Sequence, residues 1–200
     1  VLKQWGAEFR AHFRGKNLGP FRLAVPGMHN VSNALVAIAI GIELEVPVDL
    51  IRKGLAAFTG VERRFHLRGE ANGIMVVDDY GHHPTEVKAT LAAAKQGWDR
   101  RLVVLFQPHR YSRTRDLINE FAHAFDQADL LFMTDIYAAG EAPIPGVSGA
   151  ALADSIKAAG HQCVTFVEKK ETLPDQVLPH LQPGDLVMTL GAGDIWKAGT

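Results

Sequence analysis

Residues 73–86 read GIMVVDDYGHHPTE, an apolar run that is followed at once by two acids, a glycine, two histidines and a proline. A continuous run of β-branched and other apolar residues is typical of a strand buried on both faces of a parallel sheet. Pro84 suits the first turn of a helix, and the sequence predicts that helix over residues 85–96. The polar residues therefore lie where a strand passes into a helix, at the edge of an α/β sheet where ligands bind.

Strands and helices alternate from this point to the end of the chain. The predicted strands cover residues 74–78, 101–106, 130–134, 163–167 and 186–190, and the predicted helices cover residues 85–96, 115–127, 149–159 and 172–181. Ser148 suits a helix N-cap, and Gly97 and Gly160 suit the position just after a helix end. This alternation predicts a Rossmann-like α/β fold with a doubly wound, mostly parallel sheet.

A further strand precedes the first parallel one. Residues 64–70 alternate between apolar and polar side chains, as a half-buried strand does. Asn72-Gly73 is a strong signal for a two-residue hairpin, which reverses the direction of the chain. The sequence therefore predicts an antiparallel edge strand beside the parallel sheet.

Residues 1–60 have a different organisation. A hairpin is predicted around residues 15–17, between strands at 7–14 and 19–24, and helices are predicted at 30–42 and 48–58. Val36 and Ile40 make the first helix apolar on a second side, which implies burial against something outside this segment. The chain also starts at Val1 and not at Met. We therefore expect the C-terminal part of a longer protein, with residues 1–60 ending one domain and residues 61–200 forming another.

The composition favours a globular cytoplasmic protein. Of its 200 residues 47% are hydrophobic, and 21 basic residues stand against 22 acidic ones, for a formal net charge of -1. Without a long run of either charge, nothing marks a surface for nucleic acid or for anionic lipid. The longest apolar run, residues 34–42, is far shorter than the roughly 20 residues that span a bilayer. Cys163 is the single cysteine of the sequence, so an internal disulfide is excluded. We expect Cys163 to be a buried strand residue.

Four loops are expected at one edge of the sheet. Residues 79–83, 107–113, 135–141 and 191–194 each follow a predicted strand, and the carboxyl ends of parallel strands share one rim. Arg110, Arg113 and Arg115 lie in or just after the second loop. Arginines in a first helical turn oppose the helix macrodipole, which favours an anionic partner, and simple solvation of these side chains is the alternative.

His82 and His83 raise the question of a metal ion. Asp78, Asp79 and His109 could complete a ligand set, and a metal-dependent hydrolase is one alternative. Neighbouring histidines usually point in different directions, however, and His-His-Pro lacks the spacing of a helical zinc motif. We therefore predict no metal site and expect hydrogen bonding or substrate positioning instead.

Residues 191–194 read GAGD after the last predicted strand. This pair of glycines resembles a phosphate-binding turn, but it lacks the full G-x-G-x-x-G pattern, and close packing explains the glycines equally well. No G-x-x-x-x-G-K-[ST] loop occurs in the chain. The phosphate loop for any nucleotide is therefore expected outside it.

Six motifs together resemble the back part of the Mur ligases. They are GMHNVSNA at 27–34, GVERRF at 60–65, DDYGHHPTE at 78–86, FQPHRYSRTR at 106–115, YAAGE at 137–141 and GAGD at 191–194. The resemblance covers nearly the whole chain and is strongest to the member that uses L-alanine. The murein peptide ligase is similar, but it tends to carry Phe-Ala where this chain has Tyr80-Gly81.

The resemblance implies an ATP-dependent ligase that joins L-alanine to UDP-N-acetylmuramate through an acyl phosphate in peptidoglycan precursor synthesis. Residues 1–60 would end the central ATP-binding domain, and residues 61–200 would receive the amino acid. ATP and Mg²⁺ would be held mainly by parts outside this chain, and the chain alone is expected to be inactive. A non-catalytic module that binds an anion or a partner protein is the alternative from another class.

The resemblance also implies nucleotide-binding residues. Asn30 and Asn33 would bind adenine, Arg64 would approach the ATP phosphates, and Asp79 would bind the ribose. For Asn30, capping of the helix at 30–42 is an equal alternative, which His29 shares.

The incoming substrates are implied to meet another set of residues. Tyr80, His82, Arg110 and Arg113 would receive alanine and the lactyl end of the sugar substrate. Arg64 and His82 would take part in catalysis.

Overall fold

A computed structural model of the chain describes residues 2–199, with the side chains of residues 4–199. The chain forms two compact units, one of residues up to 62 together with 92–99, and one of residues 63–91 together with those from 100 onward. The predicted boundary between residues 60 and 61 refers to domains of a longer protein and stays a prediction.

The first unit packs two helices against a small antiparallel sheet. Its elements are β1 (Leu2–Lys3), β2 (Gly6–Phe13), β3 (Lys16–Leu23), α1 (Met28–Glu43) and α2 (Val48–Ala57). The predicted hairpin is confirmed, but its turn lies earlier, at Arg14 and Gly15, which have φ of 47° and 78°. The core of this unit contains Ala7, Ala11, Phe21, Leu23, Val25, Val31, Ala34 and Ile38.

Helix α1 has apolar side chains on two sides, as predicted. Val31, Ala34 and Ile38 are buried, whereas Val36 and Ile40 are 60% and 55% exposed. The buried side alone accounts for the packing of α1 within the first unit.

A six-stranded sheet forms the centre of the second unit and confirms the predicted fold class. Its strands are β4 (His66–Ala71), β5 (Ile74–Asp79), β6 (Leu102–Phe106), β7 (Leu130–Met133), β8 (Val164–Phe166) and β9 (Leu186–Leu190). Their order across the sheet is β4-β5-β9-β6-β7-β8. Only β4 is antiparallel to its neighbour, through the predicted hairpin at Asn72 and Gly73. Strands β6 and β9 are buried along their whole length, because they occupy the middle of the sheet.

Five helices follow or precede these strands. They are α3 (Pro84–Gly97), α4 (Tyr111–Asp116), α5 (Ile118–Ala122), α6 (Gly149–Ala158) and α7 (Leu173–Val177), with 3-10 turns at Lys170–Thr172, Leu178–His180 and Ile195–Gly199. Pro84 begins α3, as predicted. Ser148 caps α6 by accepting a hydrogen bond from the backbone of Ala151, and Gly160 follows its end with a φ of 115°.

The predicted helix at residues 115–127 is wrong in extent. The chain becomes helical at Tyr111, breaks at Leu117 with a φ of -117°, and ends its second helical piece at Ala122. The helical spacing of the apolar residues at 117, 121, 124, 125 and 128 predicts one face that packs on the sheet. Phe121 and Phe125 are fully buried, so this spacing identified packed side chains but not the backbone break.

The predicted helix at residues 172–181 is also wrong, since this segment consists of one helix of five residues between two 3-10 turns. Pro174 and Pro179 lie in it, and each removes a backbone N–H that a longer helix needs. Gly97 is the last helical residue of α3 and not the residue after it.

Cys163 is exposed, contrary to the prediction, because β8 begins one residue later at Val164. Over residues 2–199, none of the helices has both the length and the apolar character needed to cross a membrane.

Candidate active site

The carboxyl ends of four parallel strands form one rim in the second unit. Asp79 at the end of β5 and Phe106 at the end of β6 both pair with Leu190 at the end of β9, and Phe106 also pairs with Met133 at the end of β7. The loop after β7 then reaches the loop after β6, because the backbone of Tyr137 donates to the carbonyl of Pro108 at 2.8 Å. The predicted convergence of loops at this edge is confirmed.

Arg63 joins the ends of two neighbouring strands at this rim. Its Nε donates to Asp78 Oδ2 at 3.0 Å, and its Nη2 donates to the carbonyl of Gly191 at 2.6 Å. The guanidinium carbon also lies 4.9 Å from the centre of the Tyr80 ring, within the range of a cation–π contact. The Asp78 side chain is 1% exposed, so its charge depends on Arg63 and on a hydrogen bond from Thr189 Oγ1 at 2.7 Å. Sequence reasoning did not distinguish Arg63 from the adjacent Arg64, because the partners of Arg63, Asp78 and Gly191, are distant in the sequence.

Asp79 holds the segment that enters the second unit. Its Oδ2 accepts the backbone N–H of Phe65 at 2.7 Å, and its Oδ1 accepts that of Gly81 at 2.7 Å. Burial raises the pKa of the Asp79 carboxyl above its ordinary value, and the hydrogen bonds from Phe65 and Gly81 and the charge of Arg64 oppose that rise. Phe65 has a φ of 48°, a left-handed conformation that an L-residue keeps only when its surroundings fix it. Ribose binding by Asp79 stays a prediction.

Arg64 differs from its neighbour because its side chain is half-exposed. Its Nη1 lies 3.7 Å from Glu86 Oε1, and its guanidinium carbon lies 5.5 Å from the centre of the Tyr80 ring. A loose pair at this exposure contributes little to stability, so the guanidinium can turn to a stronger anion such as phosphate.

Four aromatic rings follow one another along the rim. Tyr80 meets His82 edge-on at 86°, His82 meets His109 at 60°, and His109 stacks on Tyr137 at 10°, with 5.5 Å between the ring centres in each pair. Tyr137 is 41% exposed, so the row is accessible at its Tyr137 end. Tyr137 and His109 were absent from the predicted site residues, although the motifs at 106–115 and 137–141 contain them.

His82 is oriented by two oxygen atoms. Its Nδ1 lies 3.0 Å from the carbonyl oxygen of Tyr80 and 3.4 Å from Glu86 Oε2. The same Glu86 oxygen accepts the backbone N–H groups of His82 and His83. Burial alone would raise the pKa of Glu86, but the N–H and charge of His82, the N–H of His83 and the charge of Arg64 bring the pKa below its ordinary value. Glu86 is therefore an ionised partner that fixes the histidine loop.

His109 has a different electrostatic environment. Its Nδ1 lies 3.1 Å from Arg113 Nη1, which also donates to the His109 carbonyl at 3.2 Å. Burial and the charges of His82, Arg113 and Arg110 lower the pKa of His109, and Glu141 opposes this only in part. His109 is consequently held in its neutral form.

The three arginines after β6 were expected in the first turn of a helix, where their charges would oppose the helix dipole, and the structure differs from this expectation. Helix α4 has only six residues, and Arg113 and Arg115 lie in its last turn, where a positive charge is favourable. Arg115 is exposed and pairs with Asp116. Arg110 precedes the helix with a φ of 74°, and its half-exposed side chain lies 3.9 Å from Glu141. Carboxylate binding by Arg110 and Arg113 stays a prediction, supported now by their place on the rim.

Glu141 connects the loop after β7 to α4. Its Oε2 accepts the backbone N–H of Ser112 at 2.9 Å and its Oε1 accepts the Ser112 hydroxyl at 2.6 Å. These two hydrogen bonds, together with the charge of Arg110, lower the pKa of Glu141. Its contacts thus fix the loop that carries Tyr137 beside the arginines.

Close packing explains the two glycines after β9. A Cβ atom on Gly193 would lie 2.4 Å from Gln107 Oε1 and 2.9 Å from Tyr137 Cγ, and one on Gly191 would lie 2.8 Å from the Gln107 carbonyl. Asp194, which follows, pairs with Lys170. Close packing against the loops after β6 and β7 therefore accounts for both glycines, and phosphate binding by this turn stays a prediction.

In the first unit, Asn30 does not cap α1. The N-cap is Gly27, without a side-chain hydrogen bond, and Asn30 Nδ2 donates to the carbonyl of Pro26 at 2.7 Å. The capping alternative for Asn30 and His29 is therefore wrong. Asn33 is exposed one turn further along. Adenine binding by Asn30 and Asn33 stays a prediction.

Histidines of the rim do not gather around a common point. His83 Nδ1 accepts the backbone N–H of Thr85 at 3.3 Å, which places it at the start of α3. Among residues 2–199, no group of three or more His, Cys, Asp or Glu side chains is positioned to hold a metal ion. The metal-dependent hydrolase alternative thus lacks a ligand set within the described part of the chain.

Residues 63–193, which contain the whole rim, match the Mur ligase, glutamate ligase domain. The chain belongs to the Mur ligase family.

Its similarity to other Mur ligases extends over almost all of its length. It is 57% identical to the UDP-N-acetylmuramate–L-alanine ligase of Geobacter sulfurreducens over 96% of this chain and 42% of the relative. The crystal structure of UDP-N-acetylmuramate-alanine ligase MurC from Thermotoga maritima matches with a TM-score of 0.83 and 31% identity, over 99% of this chain and 42% of that one.

A murein peptide ligase from Psychrobacter arcticus matches with a TM-score of 0.68 and 26% identity, over 96% of this chain and 40% of that one. The chain spans less than half the length of each of these Mur ligases.

The site residues that the resemblance to Mur ligases implies lie in both units. The first unit contains Asn30 and Asn33, and the second unit contains Arg64, Asp79, Tyr80, His82, Arg110 and Arg113. Sequence reasoning missed Arg63, Glu86, Tyr137 and Glu141, which hold those side chains in place or extend their surface, and it named His109 only as a possible metal ligand.

Proposed function

We propose that this chain is the C-terminal part of an ATP-dependent ligase that joins L-alanine to UDP-N-acetylmuramate. The observation that carries the proposal is the 57% identity over 96% of the chain with a relative of that name. The rim of the second unit supports it, because arginines, a row of aromatic rings and two histidines in different environments meet there. Joining a carboxylate to an amine requires that several negative groups be held close together, which is what such a rim provides.

The arginines have separate tasks in this proposal. Arg64 is half-exposed and loosely paired, so it is available to the phosphate that leaves ATP. Arg110 and Arg113 present planar guanidinium groups, which bind a carboxylate through two parallel hydrogen bonds. Holding alanine by its carboxylate fixes the direction of its amine, and this raises the effective concentration of the nucleophile.

ATP and Mg²⁺ fit this chain only in part. Arg64 suits a phosphate, but residues 2–199 offer no group of three acidic or histidine ligands, and the sequence has no phosphate loop. We therefore assign the metal and the phosphate loop to other parts of the ligase. The metal would supply charge neutralisation at the transferring phosphate.

A second candidate is a murein peptide ligase, which the match to the Psychrobacter arcticus protein favours. The identity to that protein is 26%, against 31% for the Thermotoga maritima alanine ligase and 57% for the Geobacter sulfurreducens one. The ring of Tyr80 lies within 5.5 Å of the guanidinium groups of both Arg63 and Arg64. A Phe ring could make the same contacts, so the distinction rests on the residues themselves: the murein peptide ligase tends to have Phe-Ala where this chain has Tyr80-Gly81, which favours the alanine ligase.

The test is phosphate release by the intact ligase in the presence of ATP, Mg²⁺ and UDP-N-acetylmuramate. We expect release that depends on L-alanine and produces UDP-N-acetylmuramoyl-L-alanine. Release that depends instead on a preformed peptide would favour the murein peptide ligase. Binding of these compounds in calorimetry without any phosphate release would favour a non-catalytic binding module.

A further inference from the structure

The two histidines that face each other on the rim carry their protons on different nitrogen atoms. His82 Nδ1 lies next to the carbonyl oxygen of Tyr80, at 3.0 Å, and next to Glu86 Oε2, at 3.4 Å. Both neighbours are acceptors, so Nδ1 must carry the proton. Nε2 of neutral His82 therefore has a free lone pair, and it forms no hydrogen bond with any of residues 2–199.

His109 has the opposite arrangement. Its Nδ1 lies 3.1 Å from Arg113 Nη1, and a guanidinium can only donate. Nδ1 must therefore be the acceptor, and neutral His109 carries its proton on Nε2. Burial is the largest cause that lowers the pKa of His109, and the charges of Arg113 and Arg110 act in the same direction, which agrees with a neutral ring. Of these two histidines, only His82 offers an unoccupied basic nitrogen.

Glu86 fixes the orientation of His82 and can stabilise its protonated form, as a general base requires. Its Oε2 lies close to Nδ1 and also accepts the backbone N–H groups of His82 and His83, so ring and backbone are fixed by one carboxylate. A carboxylate beside Nδ1 keeps the ring in the tautomer that exposes Nε2, and it stabilises the imidazolium that forms when Nε2 takes a proton. The His82 side chain is 19% exposed, so a substrate group can reach it.

We propose that His82 Nε2 accepts the proton of the incoming amino acid, and that Glu86 is the positioning residue that orients and stabilises it. This inference rests on the proposed function, since that reaction needs a neutral amine. An amino acid arrives with a charged ammonium group that has no lone pair for attack. The same rim carries Arg110 and Arg113, which are proposed to bind the carboxylate of the amino acid. A base on this rim can therefore remove the ammonium proton at the place where the amine is bound.

The ammonium gives one proton to His82 Nε2, which leaves a neutral amine and an imidazolium. The amine lone pair forms the bond to the acyl carbon of the acyl phosphate, and the carbon–oxygen bond to phosphate breaks with its electron pair on the phosphate oxygen. A second nitrogen proton passes to the departing phosphate, and the imidazolium returns its proton to solvent. The third nitrogen proton remains in the amide.

The test compares two nucleophiles in the intact ligase that carries His82→Gln. Glutamine cannot accept the proton, so phosphate release with L-alanine should fall roughly 100-fold or more. Hydroxylamine is uncharged at neutral pH and needs no base, so hydroxylamine-dependent phosphate release should stay close to that of the unmutated ligase. Glu86→Gln should show the same selectivity with a smaller loss. The control is His123→Gln, which changes an exposed histidine just after α5 and should leave both rates unchanged.

Two results would overturn the proposal. One is wild-type alanine turnover in His82→Gln. The other is an equal loss with alanine and hydroxylamine in both His82→Gln and Glu86→Gln, which indicates a structural role for this pair. Failure of the proposed function looks different, because the unmutated ligase would then release no phosphate in response to alanine.

Discussion

At the scale of single residues, two adjacent arginines have different roles because their surroundings differ. Arg63 is mostly buried and bonds to Asp78 and to the Gly191 carbonyl, whereas Arg64 is half-exposed with a loose partner at 3.7 Å. The first interaction stabilises the fold, and the second leaves a charge available for a ligand.

We expect Arg63→Ala to lower the free energy of unfolding by about 3 kcal/mol, since it leaves the buried Asp78 carboxylate without its partner. The control, Arg64→Ala, should change stability by less than about 0.5 kcal/mol while lowering turnover in the intact ligase. Urea unfolding of the two variants measures the first effect, and steady-state kinetics the second. Equal stability losses in both variants would contradict this division of roles.

The motifs predicted Arg64, Asp79, Tyr80 and His82 as site residues, and the structure puts all four on the rim or beside it. Glu86 and Arg63 escaped prediction although both lie within quoted motifs. Arg63 bonds to a carbonyl 128 positions further along the chain, and no local pattern reports such a contact. The partners of Glu86 are His82 and His83, only four and three positions away, so their spacing was a local signal for its role.

At the scale of elements, the glycine-rich turn after β9 sets the position of the aromatic row. Gly193 lies against Gln107 and the Tyr137 ring with no room for a Cβ atom. Tyr137 in turn stacks on His109. The geometry of one turn thus determines where two rings of the rim stand.

We expect Gly193→Ala to destabilise the chain by about 1–3 kcal/mol, because overpacking must displace either Gln107 or Tyr137. The matched control is Gly69→Ala in β4, where a Cβ atom would meet nothing within 4 Å. That control should stay within about 0.5 kcal/mol of the parent. Thermal unfolding measures both, and an unchanged melting temperature for Gly193→Ala would rule out the packing explanation.

An ion pair holds the opposite ends of the central strands. Arg101, just before β6, donates through Nε to Asp185 Oδ1 at 2.9 Å and through Nη2 to Asp185 Oδ2 at 2.8 Å, just before β9. Burial alone would raise the pKa of Asp185, but the hydrogen bonds from Arg101 and Gln182 and the charge of Arg101 bring it below its ordinary value of 3.8.

Because Asp185 has a lower pKa in the folded chain than in the unfolded chain, the unfolded state takes up the proton first as the pH falls. The stability that this group contributes is therefore present above pH 3.8 and is lost as the pH falls through the folded pKa. Asp185→Asn should cost about 2 kcal/mol at pH 7 and should flatten the loss of stability in acid. Chemical unfolding across pH measures this, with exposed Asp154→Asn as the control, and an acid dependence identical to that of the parent would contradict it.

The strands were predictable because continuous apolar runs match the buried centre of a parallel sheet. The two longest errors, at residues 115–127 and 172–181, concern segments in which apolar side chains such as Phe121, Phe125, Leu173 and Val177 are buried although no single helix runs through the segment. Periodicity reports which side chains are buried, but a break at Leu117 or a proline at 174 interrupts the backbone without changing that pattern. The exposure of Cys163 has a similar origin, since a shift of one residue at a strand end decides it.

At the scale of the whole molecule, the chain has one unit with a complete rim and another that contains Asn30 and Asn33. It spans 42% of the length of the Geobacter sulfurreducens ligase. We therefore propose that the second unit binds the incoming amino acid.

The 200-residue chain by itself should release no phosphate from ATP with UDP-N-acetylmuramate and L-alanine, because its sequence contains no phosphate loop. A coupled phosphate assay of the purified chain, with the intact ligase as the positive control, measures this. Alanine-dependent release by the chain alone would refute the prediction.

The most direct test of the account is a crystal structure of the intact ligase with UDP-N-acetylmuramoyl-L-alanine bound. We predict that the alanine carboxylate lies about 3 Å from the guanidinium of Arg110 or Arg113, with the new amide nitrogen facing His82. Alanine bound away from the carboxyl ends of β5, β6, β7 and β9, or these two arginines bound to nucleotide phosphates instead, would contradict the assignment of this rim to the amino acid.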